Sequence, residues 1–169
     1  NLNTLSTQRI HKEFIQIINT FKCYKTLYYM QISNVLQQII PTNLENIQAI
    51  ENLSALESLN NLHLDTPLII LSILLPCNYN LEDIKLSFGR KYWEKLNHIL
   101  ILRDFIMLHN ILDYNEIAKM TINYTFDNML IAIIATSALK PSQLHIYNNL
   151  IELLMKKQQL KLPINGEDL

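Results

Sequence analysis

The chain holds only two glycines, Gly89 and Gly166, in 169 residues. Glycine reaches positive φ without strain and lets a backbone approach a ligand closely. Gly-rich phosphate loops, dinucleotide fingerprints and tight hairpins need it at fixed positions, so none of them can be built here. Leu, Ile, Asn and Lys dominate and Val is nearly absent, which points to helices. Hydrophobic residues make up 49% and charged residues 17%, with a mean hydropathy of +0.08. A disordered tail is charge-rich and cannot bury enough apolar surface, so this balance excludes one. The length is ample for a real core in one or two small domains.

Apolar spacing reads as helix throughout. Ser6 can cap a first helix whose apolar side is Ile10, Phe14, Ile17, Ile18 and Phe21. A second helix is expected from Tyr24 to Ile40, stopped by Pro41. The leucines and isoleucines from Leu44 to Leu62 recur every three residues, a period that drifts around an α-helix by about 60° per step. Two short helices broken near Asn52 fit better, the second opened by a Ser54-x-x-Glu57 capping box. Asp65-Thr66-Pro67 starts the next helix, whose run Leu68–Leu75 is apolar on every side and belongs in the middle of the packing, with Pro76 as its stop. Asn80 can cap a short helix to Leu86. Ser87 and Gly89 then break the pattern before a long helix from Arg90 to His109. Glu116–Met120 is a weak short helix and Asp127–Leu139 a mostly apolar one. Pro141 opens the last, with Leu144, Tyr147, Leu150, Ile151 and Leu154 on one face, and Leu160–Leu169 reads as a loop. The expected fold is therefore all-α, an irregular right-handed stack of about eight helices.

The residue inventory lacks an enzyme active site. His11, His63, His98, His109 and His145 are scattered, without the i, i+4 spacing of a metal pair. Cys23 and Cys77 lack CxxC spacing and read as buried or half-buried free thiols. No serine or cysteine has a histidine placed to activate it. Glu82-Asp83 and Glu167-Asp168 are adjacent carboxylates, and no Asp-x-Asp occurs for two-metal chemistry. The expectation is that the chain by itself holds no catalytic group, metal or cofactor.

The basic residues carry more. Lys85, Arg90, Lys91 and Lys95 fall within eleven residues, interleaved with Tyr92 and Trp93. Lys91 and Lys95 share a helix face, so two ammonium groups can follow one phosphate backbone. The competing reading is a solvated helix face with Trp93 in the core. A second cluster, Lys156, Lys157 and Lys161, ends the last helix, where the dipole favours cations anyway. Net charge is −1 and pI about 6.6, against a generic polyanion binder but compatible with a local basic face. No signal pattern or membrane-length apolar run occurs, and a cytoplasmic location without membrane contact is expected. The first residue is Asn rather than Met, as in a piece of a longer chain.

Three stretches resemble one family. Ser6-Thr-Gln-Arg9-Ile10-His-Lys-Glu13-Phe14 is similar to the S-x-E-R-I-x-x-E-(F/L) segment of bacterial class II tRNA nucleotidyltransferases, the CCA-adding enzymes and poly(A) polymerases. Leu27 to Pro41 follows as the family's helix that ends in a hydrophobic pair and Pro. Ile84-Lys85-Leu86-Ser87 resembles its L-K-L-S-N turn, with Phe88 in place of Asn; Gln8 likewise stands where Glu is usual. Leu162-Pro163-Ile164-Asn165-Gly166-Glu167-Asp168-Leu169 matches L-P-I-(N/T)-G-x-D-L, the most specific of the three. The resemblance implies residues 1–22 as the end of the neck and the first body helix, 23–110 as the helical body, and 111–169 as a tail-like region that stops short. It implies tRNA or another structured RNA as partner, contacted by Lys85, Arg90, Lys91, Lys95, Lys156, Lys157 and Lys161. Ser6, Arg9, Pro163, Gly166 and Asp168 would be structural. Mg²⁺ and ATP or CTP would belong to a catalytic head on another segment, and a separately encoded head is a candidate partner. The alternative is a helical protein-interaction module, or a decayed fragment, that no longer binds RNA.

Overall fold

The computed structural model describes residues 6–53, 64–79, 83–109, 117, 119 and 124–159. Among the described residues there are seven α-helices, three 3₁₀ turns and no strand. The stretches 54–63 and 160–169, with the Ser54/Glu57 box, Lys161, Pro163, Gly166 and Asp168, lie outside them, as does most of Glu116–Met120.

Helix α1 (Thr7–Ile18) begins where Ser6, in extended backbone, accepts the Arg9 N–H on its hydroxyl at 3.3 Å. Its inward face is Ile10, Phe14 and Ile18, one turn apart. Thr20 then caps a 3₁₀ turn, Phe21–Cys23, which leads into α2 (Tyr24–Ile32).

Here the expected helix to Ile40 is corrected. Asn34 sits at φ 57, the left-handed region. Its N–H donates to Gln31 O at 3.0 Å and the Val35 N–H to Met30 O at 2.9 Å, which is a Schellman ending. Ser33 reinforces the stop by donating its hydroxyl to Tyr29 O at 2.8 Å. A 3₁₀ turn, Leu36–Gln38, follows. Leu36, Ile39 and Ile40 are still buried, so a bent path satisfies the apolar spacing that a straight helix would have satisfied.

Helix α3 (Leu44–Asn52) is capped by Asn43, which accepts the Asn46 N–H at 2.7 Å, and it ends at Asn52 as expected. Two of its amide side chains tie it to neighbours: Asn46 donates to Leu74 O at 3.0 Å and Asn52 to Ala138 O at 2.8 Å. Helix α4 (Thr66–Leu74) opens with Asp65 accepting the Leu68 N–H at 3.1 Å, and Pro67 occupies the first turn, where its missing N–H costs nothing. Every residue from Pro67 to Leu74 is buried. Cys77, beyond the end of α4, is exposed, whereas Cys23 is buried; both are free thiols, so the expectation of burial holds only for Cys23.

Of the short helix expected from Asn80 to Leu86, the described part has Asp83 in 3₁₀ helix and no helix over residues 84–86. The Lys85 N–H donates instead to Ile39 O at 2.8 Å, so this backbone is satisfied across to another segment rather than within its own turn. Helix α5 (Arg90–His109) is the longest, and α6 (Phe126–Leu139) is buried continuously from Asn128 to Ala138. Such all-round burial is possible because α3, α4, α5 and α7 all pack on α6. The buried hydroxyls of Thr136 and Ser137 donate to Ala132 O and Ile134 O within α6, at 2.8 and 2.7 Å. At Lys140 the chain turns by 112° and, after the 3₁₀ turn Pro141–Gln143, enters α7 (Leu144–Gln159). Tyr147, Leu150, Ile151 and Leu154 are its buried side. Among the described residues no single helix is long and apolar enough to cross a membrane.

One core group is ionic. Arg103 of α5 is 1% exposed and donates to the carbonyls of Ser72 and Leu75 at the end of α4, the latter at 2.6 Å. Its Nε donates to Asp104 Oδ1 at 2.7 Å. The guanidinium therefore closes the C-terminus of α4, where carbonyls have no partner within the helix.

Candidate nucleic-acid interface

The start of α5 is fixed by three connections. Lys85 is pinned to Ile39 through its backbone, Leu86 is buried, and Gly89 O accepts the N–H groups of Tyr92 and Trp93 at 3.0 and 3.1 Å. Gly89 thus stands at the helix N-terminus. The sequence-predicted basic residues surround this point. Lys85, Arg90 and Lys91 are exposed and Lys95 is half-buried. Arg90 donates to Glu94 Oε1 at 2.9 Å, with side-chain exposures of 92% and 55%. Lys91 and Lys95 form no ion pair among the described residues. On a helix they lie one turn apart, on the side next to the Arg90–Glu94 pair. Trp93 is half-buried against the core, as the competing reading required.

The electrostatics of this end differ from those of the second cluster. Arg90 and Lys91 occupy the first turn of α5, which contains no acidic residue. Cations there oppose the helix dipole, typically by about 0.3–1 kcal/mol each, and favour a bound anion. Lys156 is exposed near the end of α7, where the dipole already favours a cation, and Lys157 follows it in the helix.

Beside the basic end lies an open cleft of about 630 Å³, which sequence reading missed. It is formed where α1, the start of α4 and residues 87–92 meet, with His11, Asp65, Thr66, Phe88, Gly89 and Tyr92 in its walls. Phe88 stacks on Tyr92 with centroids 4.7 Å apart and an interplanar angle of 10°. His11 meets Phe88 edge-on at 4.8 Å, and Trp93 does so at 5.2 Å from the core side. Burial lowers the His11 pKa, so its ring is held neutral more readily than a free histidine. Burial and then the neighbouring Asp65 carboxylate push the Tyr92 hydroxyl up, so it remains protonated. His11 Nδ1 is buried without a hydrogen-bond partner, and Tyr92 Oη is buried against the Asp65 carboxylate. The one sequence signal was Phe88 and Tyr92 at i, i+4; nothing local linked them to His11 or Asp65.

Ser6 caps α1, as its place before the first apolar spacing predicted, and Arg9 is exposed in the first turn. Among the described residues no group of histidine, cysteine and carboxylate side chains comes together that could hold a metal ion. Comparison of the chain with protein-family models, with curated proteins and with solved structures finds no match.

Proposed function

We propose that this chain is the RNA-binding C-terminal portion of a tRNA nucleotidyltransferase or poly(A) polymerase-like protein, with the helical body and tail-like fold of that class. One observation carries the reading beyond the sequence resemblance: a basic helix end, Arg90, Lys91 and Lys95, adjoins an aromatic-lined cleft. Cations that follow phosphates and aromatic faces that accept unstacked bases are the two things structured RNA with single-stranded ends requires. The role is positional. Lysine and arginine side chains hold the sugar-phosphate backbone while a catalytic head on another segment, with its Mg²⁺ and nucleotide, receives the 3′ end.

A second reading, a helical protein-interaction module, is favoured by exposed apolar side chains: Tyr28, Tyr29 and Ile32 on α2, and Ile101, Phe105 and Leu108 on α5. Filter-binding of tRNA at several salt concentrations separates the two. Engagement of three or four phosphates gives a log–log slope of roughly −2 to −4, at about 0.7–0.9 per contact. Lys91→Glu with Lys95→Glu should abolish retention. Unchanged retention would move the contact to the Lys156–Lys161 cluster, and no retention at low salt would leave the interaction module.

A further inference from the structure

The cleft beside α5 has a chemistry of its own. No lysine or arginine lines it among the described residues, and Asp65 places a carboxylate in its wall. A phosphate would therefore be repelled from it. One oxygen of Asp65 is engaged in capping α4 through the Leu68 N–H. Carboxylates have two oxygens and roughly four acceptor positions, so Asp65 retains acceptor capacity toward the cleft. Around it stand the hydroxyls of Thr66 and Ser87 and the amide of Asn19, while Tyr92 Oη is buried against the Asp65 carboxylate and leaves the remaining acceptor positions of that carboxylate to a ligand. Phe88, Tyr92 and His11 contribute ring surface. The volume falls within the roughly 300–1,000 Å³ of small-molecule sites.

This set suits a flat, uncharged heteroaromatic ring that donates from an exocyclic amine. We infer that the cleft receives a single unstacked nucleobase bearing an exocyclic amino group, cytosine or adenine, whose amine donates to Asp65. A carboxylate accepting from a base amine is the ordinary readout of cytosine. Arg90 and Lys91 follow directly on Gly89 of the cleft wall and would hold the attached phosphate outside it. The inference rests on the RNA reading above for why a base is presented here.

Gly89 supplies a clean perturbation. A Cβ at this position would meet nothing within 4 Å, so a side chain can be added without disturbing the core. Asp65→Asn supplies another. Asparagine caps helices as well as aspartate, so α4 is preserved while an amide donor replaces the free acceptor. The experiment is saturation-transfer NMR on the full chain with cytidine or uridine, with urea midpoints as the folding control. Cytidine should bind about 5- to 10-fold tighter than uridine, the lower end of discrimination by a base-edge contact. Gly89→Leu should reduce both signals to background, and Asp65→Asn should reverse the preference toward uridine.

Absence of a cytidine signal in the unmodified chain, or an equal signal in folded Gly89→Leu, overturns the cleft as a base site. A preference unchanged in Asp65→Asn overturns the amine contact, whether or not Gly89→Leu folds. The tRNA titration is independent. Retention of tRNA without a cytidine signal removes the cleft and keeps the RNA reading; a cytidine signal without tRNA retention does the reverse.

Discussion

Replacing Arg103 by methionine should lower the urea midpoint of unfolding by about 1.5–2.5 M. The side chain is fully buried and donates to two carbonyls, Ser72 O and Leu75 O, while its Nε and Nη2 face Asp104 Oδ1 at 2.7 and 2.6 Å. Methionine fills most of the stem volume but leaves these three acceptors without their donor. Removing one partner of a buried ion pair costs about 3–5 kcal/mol, because the remaining groups stay desolvated. With a urea dependence of about 2 kcal/mol/M, that cost gives the stated midpoint shift. It is a large share of the roughly 5–15 kcal/mol that holds a domain together.

Asp104→Asn should cost less, about 1–2 kcal/mol, because the amide keeps an oxygen that accepts from the buried guanidinium, although its charge is lost. The informative measurement is the pair of denaturation curves, followed by circular dichroism at constant protein concentration. If Arg103→Met shifts the midpoint by under 0.5 M, or no more than Asp104→Asn does, then Arg103 does not close α4 and the account of that helix end is wrong.

Two further substitutions test local reasoning. Asn34 at φ 57 ends α2, so Asn34→Ala should destabilise by about 1–2 kcal/mol while Asn34→Gly is neutral or stabilising; equal midpoints for the two would refute a left-handed cap. Iodoacetamide at pH 8 should modify exposed Cys77 first and reach buried Cys23 only on unfolding, since burial pushes the Cys23 thiol up to about 11 from an ordinary 9.0. The folded chain then binds more protons than the unfolded one between those values, so stability should fall as pH rises through that window; Cys23→Ala should flatten the fall.

Two caps were legible, Ser6 and Asp65; they and the unforeseen Asn43 and Thr125 each present an oxygen to an N–H three residues on, a purely local geometry that a side chain of the right type satisfies wherever the helix lies. The central place of α4 was legible for a similar reason, and so was the mostly apolar character of α6. Runs apolar on every side have no face to offer water, and other helices must surround them. The break after Ile32 was less legible because its signal is one asparagine in an unusual φ, while the apolar period on either side continues undisturbed. The basic stretch before and within α5 could be picked out by counting charges, but its pairing pattern could not: Arg90 reaches Glu94, and Lys91 finds no such partner.

Local chemistry along the chain, then, settled the helical character of the described residues, where most of their helices begin and that α4 lies innermost, since each of these depends on neighbours within a turn or on the hydropathy of one segment. Packing alone decided that Arg103 meets the end of α4, and that His11, Asp65, Phe88 and Tyr92 enclose one cleft. Those groups come from separate helices and connections. Their meeting depends on how the elements dock, a sum of many weak apolar contacts that no short stretch of residues encodes.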